Sequence, residues 1–254
     1  MIDTHCHIDD PQYEPDFDSF ILSQQEGGVE AVVVPGVNAL SVATVTAACR
    51  RYPRFLYPAA GLHPEEVRDD WQEQLSVIHD ALFSPDAHFV GVGEIGLDYH
   101  FDLTWKTQQK QAFVMQLQWA LELGLPVMIH SRDATEDCLD ILRGFRGLRG
   151  VMHCFSGSHE TAVEITRLGL FLGIGGVITF KNCRLADNLQ GISLDSLVLE
   201  TDAPYMAPVP WRGKRNESRW MSFVADKLAQ VYNTSAGHIC TATTANAKRL
   251  FGID

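Results

Sequence analysis

Eight short β-type runs, each followed by an amphipathic stretch, alternate along the whole sequence and leave few folds open to it. The runs are Met1–His5, Val29–Pro35, Phe55–Gly61, Phe89–Glu94, Pro126–His130, Gly150–His153, Phe171–Gly175 and Leu197–Thr201. Between them, apolar residues recur at helical spacing, as in Trp71, Leu75, Ile78, Leu82 and in Phe113, Leu117, Ala120, Leu121. With His5, Pro35, Gly61, Glu94, His130, His153, Gly175 and Asp202 as strand-end markers, the intervals are 30, 26, 33, 36, 23, 22 and 27 residues. Each interval suits one βαβ crossover, so the chain of 254 residues predicts an α/β protein, a single (β/α)8 TIM barrel over 1–254. A doubly wound open sheet is the competing architecture. It lacks the GxGxxG turn after the first run, and the glycine-rich stretch Leu168–Gly176 comes late and opens no nucleotide-type helix.

No internal repeat, low-complexity tract or linker interrupts the pattern, which is why one domain is expected. The longest irregular segment, Ala203–Ser218, follows the eighth run and is therefore placed at the C-terminal face, where barrel active sites lie. A net charge of −12 argues against a polybasic nucleic-acid coat, so a nucleic-acid substrate would need a local basic patch or bound cations. No apolar run approaches the ~20 residues of a membrane span. Met1-Ile-Asp-Thr-His-Cys-His7 opens directly on a functional-looking motif, so no signal peptide is expected. The six cysteines (6, 49, 138, 154, 183, 240) form no CxxC pair and read as free thiols of a reducing, cytoplasmic compartment.

The chemistry is concentrated at the strand ends. His5 and His7 are two apart on one strand, so both imidazoles face the same side, while Cys6 points away into the packing layer. Glu94, His130, His153 and Asp202 end the fourth, fifth, sixth and eighth runs. Parallel strands bring all six to one mouth. A lone histidine after an apolar run is usually a packed residue, but four histidines and two carboxylates on five strand ends predict a metal site.

The segments Ile2-Asp-Thr-His-Cys-His-Ile-Asp9, Gly61-Leu-His-Pro64, Gly93-Glu-Ile-Gly-Leu-Asp-Tyr99, Pro126-Val-Met-Ile-His-Ser-Arg-Asp-Ala134, His153-Cys-Phe-Ser-Gly-Ser158, Leu172–Asn182, Leu199-Glu-Thr-Asp-Ala-Pro204 and Arg212-Gly-Lys-Arg-Asn-Glu217 occur in one order. In these the chain closely resembles the TatD family of metal-dependent deoxyribonucleases, a branch of the amidohydrolase-like barrel superfamily. Ser218 stands where members often carry Pro, and His100 occupies a variable position after Tyr99. The resemblance implies two divalent metal ions (Zn, Mn, Mg, Co or Ni), one held by His5, His7 and Asp202, the other by His130 and His153, with Glu94 bridging. Glu94 replaces the carboxylated lysine that bridges the metals of some related barrels. A metal pair about 3.5–4 Å apart shares and activates a water and clamps the oxygens of a phosphodiester. Glu94, Asp202 and His63 are the expected catalytic residues.

Around the metals, His63 in Gly-Leu-His-Pro faces the mouth, with a role toward substrate or phosphate set against a turn-stabilising one. Arg132 suits either a phosphate or an ion pair with Asp133 or Glu136. Arg212, Lys214 and Arg215 form the one basic cluster and are expected at the phosphate backbone, against the usual solvated-loop reading. Trp211 suits base stacking or loop anchoring, and Ser156 is a further substrate-binding candidate. His79, His88, His159 and His238 read as structural or solvent-exposed.

The leading functional expectation is a metal-dependent phosphoester hydrolase, a 3′-to-5′ exonuclease acting on DNA or another phosphodiester, with no membrane association and no obligate protein partner. A small-molecule amide, lactone or phosphoester hydrolase keeps the same site and changes the bond; a neutral substrate would not need the basic loop. A metal-holding scaffold or nucleic-acid-binding barrel without turnover is the third reading, and ligands that leave room for a shared water argue against it.

Overall fold

The computed structural model describes residues 1–254 as one ring of eight parallel strands wrapped by helices. The strands are β1 (Ile2–Asp3), β2 (Ala31–Val34), β3 (Leu56–Ala60), β4 (Gly91–Asp98), β5 (Val127–Arg132), β6 (Gly150–Met152), β7 (Phe171–Ile174) and β8 (Leu197–Leu199). They pair in sequence order, β1 to β8. The ring closes where Thr4 N–H donates to Leu199 O (3.1 Å), Asp202 N–H donates to His5 O (2.9 Å), and Cys6 bridges Ala203 in parallel. This is the predicted (β/α)8 barrel. No helix is long and apolar enough to cross a membrane, and all six cysteines are free.

The helices are α1 (Phe17–Glu26), α2 (Ala39–Arg51), α3 (Trp71–Leu82), α4 (Lys106–Leu123), α5 (Thr135–Leu142), α6 (His159–Arg167), α7 (Leu185–Asn188), α8 (Met221–Val231) and α9 (Ala236–Phe251). The α3 stripe Trp71, Leu75, Ile78, Leu82 is buried as its spacing predicts. In α4 the buried face runs through Phe113, Leu117 and Ala120, whereas Leu121 is exposed, because buried Gln109 and Gln116 shift the inward face away from it. Those two glutamines support the mouth. Gln116 accepts from Leu62 N–H (2.7 Å) and donates to Leu62 O (3.2 Å), and Gln109 accepts from Asp98 N–H (3.0 Å). A separate core at the opposite end joins Ile2, Val33, Met128 and Val198 to Leu250 and Phe251, so the end of α9 plugs the barrel floor.

β4 departs from the sequence expectation in a way that matters for the site. It runs four residues past Glu94, to Asp98, and its register against β5 shifts between Val92 and Ile95. Val92 pairs with Val127 and Ile95 with Ile129, so β4 spends one extra residue there, a bulge that re-aims a side chain. Glu94 lies within it. Past the bulge, β4 passes so close to β5 that a Cβ on Gly96 (φ +147°) would overlap the backbone oxygen of His130.

Candidate metal centre

The bulge, the closing bridge and the short strand ends bring His5, His7, His63, Glu94, His130, His153 and Asp202 to one mouth. Glu94 is buried at its centre and its two oxygens face different imidazoles. Oε2 lies 3.1 Å from His5 Nε2 and 3.6 Å from His7 Nε2. Oε1 lies 2.9 Å from His130 Nδ1, 3.6 Å from His153 Nε2 and 3.5 Å from His63 Nε2. Asp202 Oδ1 is 3.4 Å from His7 Nε2, 3.8 Å from His153 Nε2 and 3.9 Å from His5 Nε2. The backbone of Asp202 is left-handed (φ +57°), which turns its carboxylate inward at the start of the loop after β8.

Several of these donors lie close enough to share a cation. His5, His7 and Glu94 form one such group, His5, His153 and Asp202 a second, and His63, Glu94 and His130 a third. His5 Nε2 and His7 Nε2 face each other at 3.2 Å. Two nitrogens bound tetrahedrally to one zinc at about 2.05 Å stand about 3.3 Å apart, so this spacing fits a shared cation. His130 and His153 have ring centroids 6.4 Å apart and meet only across Glu94 Oε1.

Charge is balanced inside the cluster. Burial alone would raise the Glu94 carboxyl, but His5, His63 and His153 outweigh it and hold the group well below the usual range. Asp202 is likewise lowered, with His153 and His7 overcoming burial. Burial lowers His5, and the neighbouring His153 adds to the effect. His153 and His130 move the other way despite burial, to about 10 and about 9, because each also faces a second carboxylate.

Those second carboxylates, Glu200 and Asp98, carry no role in the sequence reading. His130 Nε2 is 2.8 Å from Asp98 Oδ2, and His153 Nδ1 is 3.1 Å from Glu200 Oε1. Each ring thus presents its other nitrogen to Glu94: Nδ1 from His130, Nε2 from His153. A carboxylate behind a ligating imidazole fixes its orientation and raises its basicity. The sequence signals were Asp98 two residues after Gly96, and Glu200 two before Asp202 on the same strand end. Both pass unnoticed when β4 is ended at Glu94 and only one acid is sought on β8.

His63 caps the 3-10 turn Pro64–Glu66, its Nδ1 accepting from Glu65 N–H at 3.1 Å. A neutral His63 therefore carries its proton on Nε2, the nitrogen that faces Glu94. His63 thus stabilises the turn through one nitrogen and faces the mouth with the other.

The mouth opens into a cavity of about 710 Å³ whose wall includes His7, His63, Glu94, His130, Arg132 and Asp202. Arg132 makes no ion pair with Asp133 or Glu136. Asp133 pairs with His100 (2.7 Å), while the Arg132 guanidinium lies 4.8 Å over the Phe101 ring. Ser156 is exposed and lines an adjoining cavity of about 270 Å³ that also includes Arg132 and His153. The basic cluster is placed elsewhere: none of Arg212, Lys214 and Arg215 lines either cavity. Arg215 forms a two-pronged ion pair with Asp16 (2.7 and 2.6 Å) and donates to Gln12 O, clamping the loop after β8 to the segment before α1. Arg212 lies 4.0 Å over Phe180, and Lys214 is exposed. Trp211 stacks on Trp220 at 4.9 Å, anchoring the loop through one face.

A family model described as TatD related DNase matches residues 2–252. The metal-dependent hydrolase YabD of Bacillus subtilis is 38% identical over 100% of both chains. A 3′-5′ ssDNA/RNA exonuclease TatD of Erwinia tasmaniensis is 31% identical, again over 100% of both. The crystal structure of YjjV, a TatD homolog from Escherichia coli K12, superposes with a TM-score of 0.92 at 33% identity, covering 100% of this chain and 98% of that one.

Proposed function

The chain belongs to the TatD family of metal-dependent hydrolases, and we propose that it is a phosphodiesterase that removes nucleotides from the 3′ end of single-stranded DNA. The observation that carries this reading is the division of Glu94: one oxygen faces His5 and His7, the other His130 and His153. That division supports two divalent cations, one held by His5, His7 and Asp202, the other by His130 and His153, with Glu94 serving both. Bound there, such cations supply Lewis acidity toward a phosphoryl oxygen and lower the pKa of an attacking water. The mixed imidazole–carboxylate set suits Zn and admits Mn, Co, Ni or Mg.

The protein's own groups supply the rest. Asp202, held ionised and facing the histidines through Oδ1, is positioned to accept a proton from the attacking water, while Glu94, also ionised, has both oxygens turned to the imidazoles. His63 Nε2–H is positioned to donate to a phosphoryl or leaving oxygen. Arg132, the one arginine or lysine in the cavity wall, is positioned to hold a single phosphate. The Erwinia relative is named for single-stranded nucleic acid, which favours that substrate over a duplex. A cytoplasmic location accords with the six free cysteines.

A second reading, a small-molecule ester or amide hydrolase, is favoured by one observation: Arg212, Lys214 and Arg215 do not line the cavity. Protein stripped with chelator and reloaded with Mn, Co or Zn should be offered labelled single-stranded DNA, duplex DNA, RNA, bis(p-nitrophenyl) phosphate and a lactone. Metal-restored shortening of single-stranded DNA from its 3′ end is the expected result. Turnover of the lactone alone would replace the nuclease reading with the second one.

A further inference from the structure

Charge is divided across the mouth. On one side, the loops after β1 and β3 place Asp9, Asp10, Glu65 and Glu66 in the wall of the larger cavity. On the opposite side, the end of β5 contributes Arg132, which also lines the smaller cavity between the loops after β5 and β6. That smaller cavity is edged by hydroxyl side chains such as Ser156 and Thr161, and its one carboxylate, Asp133, is paired with His100. Lys181 follows β7, and Arg212, after β8, lies over the adjacent Phe180. Arg132, Lys181 and Arg212 thus lie on the β5–β8 half, and the cavity's carboxylates other than the metal-centre pair Glu94 and Asp202 lie on the β1–β3 half. The carboxylate half also carries surface for a base. Leu40 lines its rim at 74% exposure, and Tyr205 donates to Asp10 there (2.9 Å).

We propose, building on the nuclease reading above, that the carboxylate wall selects a terminal nucleoside bearing a free 3′-hydroxyl and rejects an end that carries a phosphate. A strand would approach over the β5–β8 half, with its scissile phosphate at Arg132 and the metal centre. Only the last nucleoside would pass into the β1–β3 half. There a hydroxyl can donate to a carboxylate, whereas a terminal phosphate, carrying about −1.5 to −2 at neutral pH, meets like charge. The same wall discourages a continuing strand, so cleavage is confined to ends. In the hydrolysis, water forms the new bond to phosphorus, the bond to the penultimate O3′ breaks, and that oxygen leaves with a proton. The product is a 5′-nucleotide and the shortened strand again ends in a 3′-hydroxyl.

The test compares one 5′-labelled single-stranded oligonucleotide in two forms, ending in a 3′-hydroxyl or a 3′-phosphate, with the Mn-loaded protein. The expected kcat/KM is about tenfold or more higher for the hydroxyl end. In Asp9→Asn/Glu65→Gln/Glu66→Gln the ratio should fall below about threefold. These changes keep acceptors for Thr44 at position 9 and Asn38 at position 66. If the triple variant does not fold, Glu65→Gln alone, whose side chain makes no hydrogen bond, should narrow the ratio in part. Equal rates on the two ends in the unaltered protein would overturn the inference and leave the nuclease reading intact. An unchanged ratio in a folded variant would remove the wall as its cause. Turnover of a small ester with neither oligonucleotide shortened would overturn the nuclease reading, and this inference with it.

Discussion

His153 Nδ1 faces Glu200 Oε1 at 3.1 Å, and that carboxylate is buried directly over Gly173, where any Cβ would overlap it. The glycine makes the space, the carboxylate fills it, and the imidazole stands against it. Glu200→Gln should therefore lower metal affinity by about 10–100-fold while the circular dichroism spectrum stays unchanged. Gly173→Ala should act in the same direction by displacing Glu200. Competition with a chelating dye reads both, and unaltered affinity in both variants would rule out an orienting role for Glu200.

Glu94→Gln keeps the shape and removes the charge that both imidazole groups share. Turnover should fall by at least about 10²–10³-fold, with reduced metal content by elemental analysis. His5→Ala and Asp202→Ala should each deplete one cation, and the same one, in anomalous scattering. Full occupancy and full activity in Glu94→Gln would refute its central position.

Stripping the metals should destabilise the barrel as well as silence it. Native-state binding at 100 times Kd contributes about 2.7 kcal/mol per site, so chelator should lower the thermal midpoint by several degrees and added Zn or Mn should restore it. A midpoint indifferent to chelator would count against a metal centre.

Arg215 and Arg132 should separate stability from binding. Arg215→Ala breaks the two-pronged pair with Asp16 and uncovers Tyr13, 4.8 Å from the guanidinium. The expected cost is about 1–2 kcal/mol, more than an isolated surface pair, with KM little changed. Arg132→Ala should raise KM for a phosphodiester while leaving the denaturation midpoint in place. The reverse pattern would return the basic cluster to a substrate role.

Asp137 joins three elements, accepting from Tyr99 Oη (2.8 Å) and pairing with Lys110 (2.9 Å) and Lys106 (3.0 Å). Lys110, Lys106 and Tyr99 hold its carboxyl well below the usual value of 3.8. A depressed carboxyl contributes stability that is present above that usual value and is lost as pH falls beneath it. Asp137→Asn should therefore cost about 1 kcal/mol at pH 7 and progressively less below about pH 4 in urea denaturation. A cost that does not shrink with acid would show that the charge is not what links these elements.

The barrel was legible because its cause is local and repeated: strand-forming runs at 22 to 36-residue spacing can bury both faces only by pairing in parallel under helices. The seven mouth residues were legible for the same reason, since strand ends in a parallel ring share one rim. The partners of His130 and His153 were not. Asp98 reaches His130 only because β4 bulges at Glu94 and continues beside β5, and a one-residue register shift leaves no mark in periodicity. The placement of the basic cluster was not legible for the complementary reason. Arg212, Lys214 and Arg215 follow a barrel strand in the chain, yet an arginine reaches whichever acid or ring the fold sets beside it, here Asp16 and Phe180. The sequence by itself determined the fold and the set of residues at the mouth, because both follow from short-range pattern. Only the tertiary structure decided which nitrogen each histidine presents, which acids stand behind them and on which side the charge lies, because those depend on contacts between residues far apart in the chain.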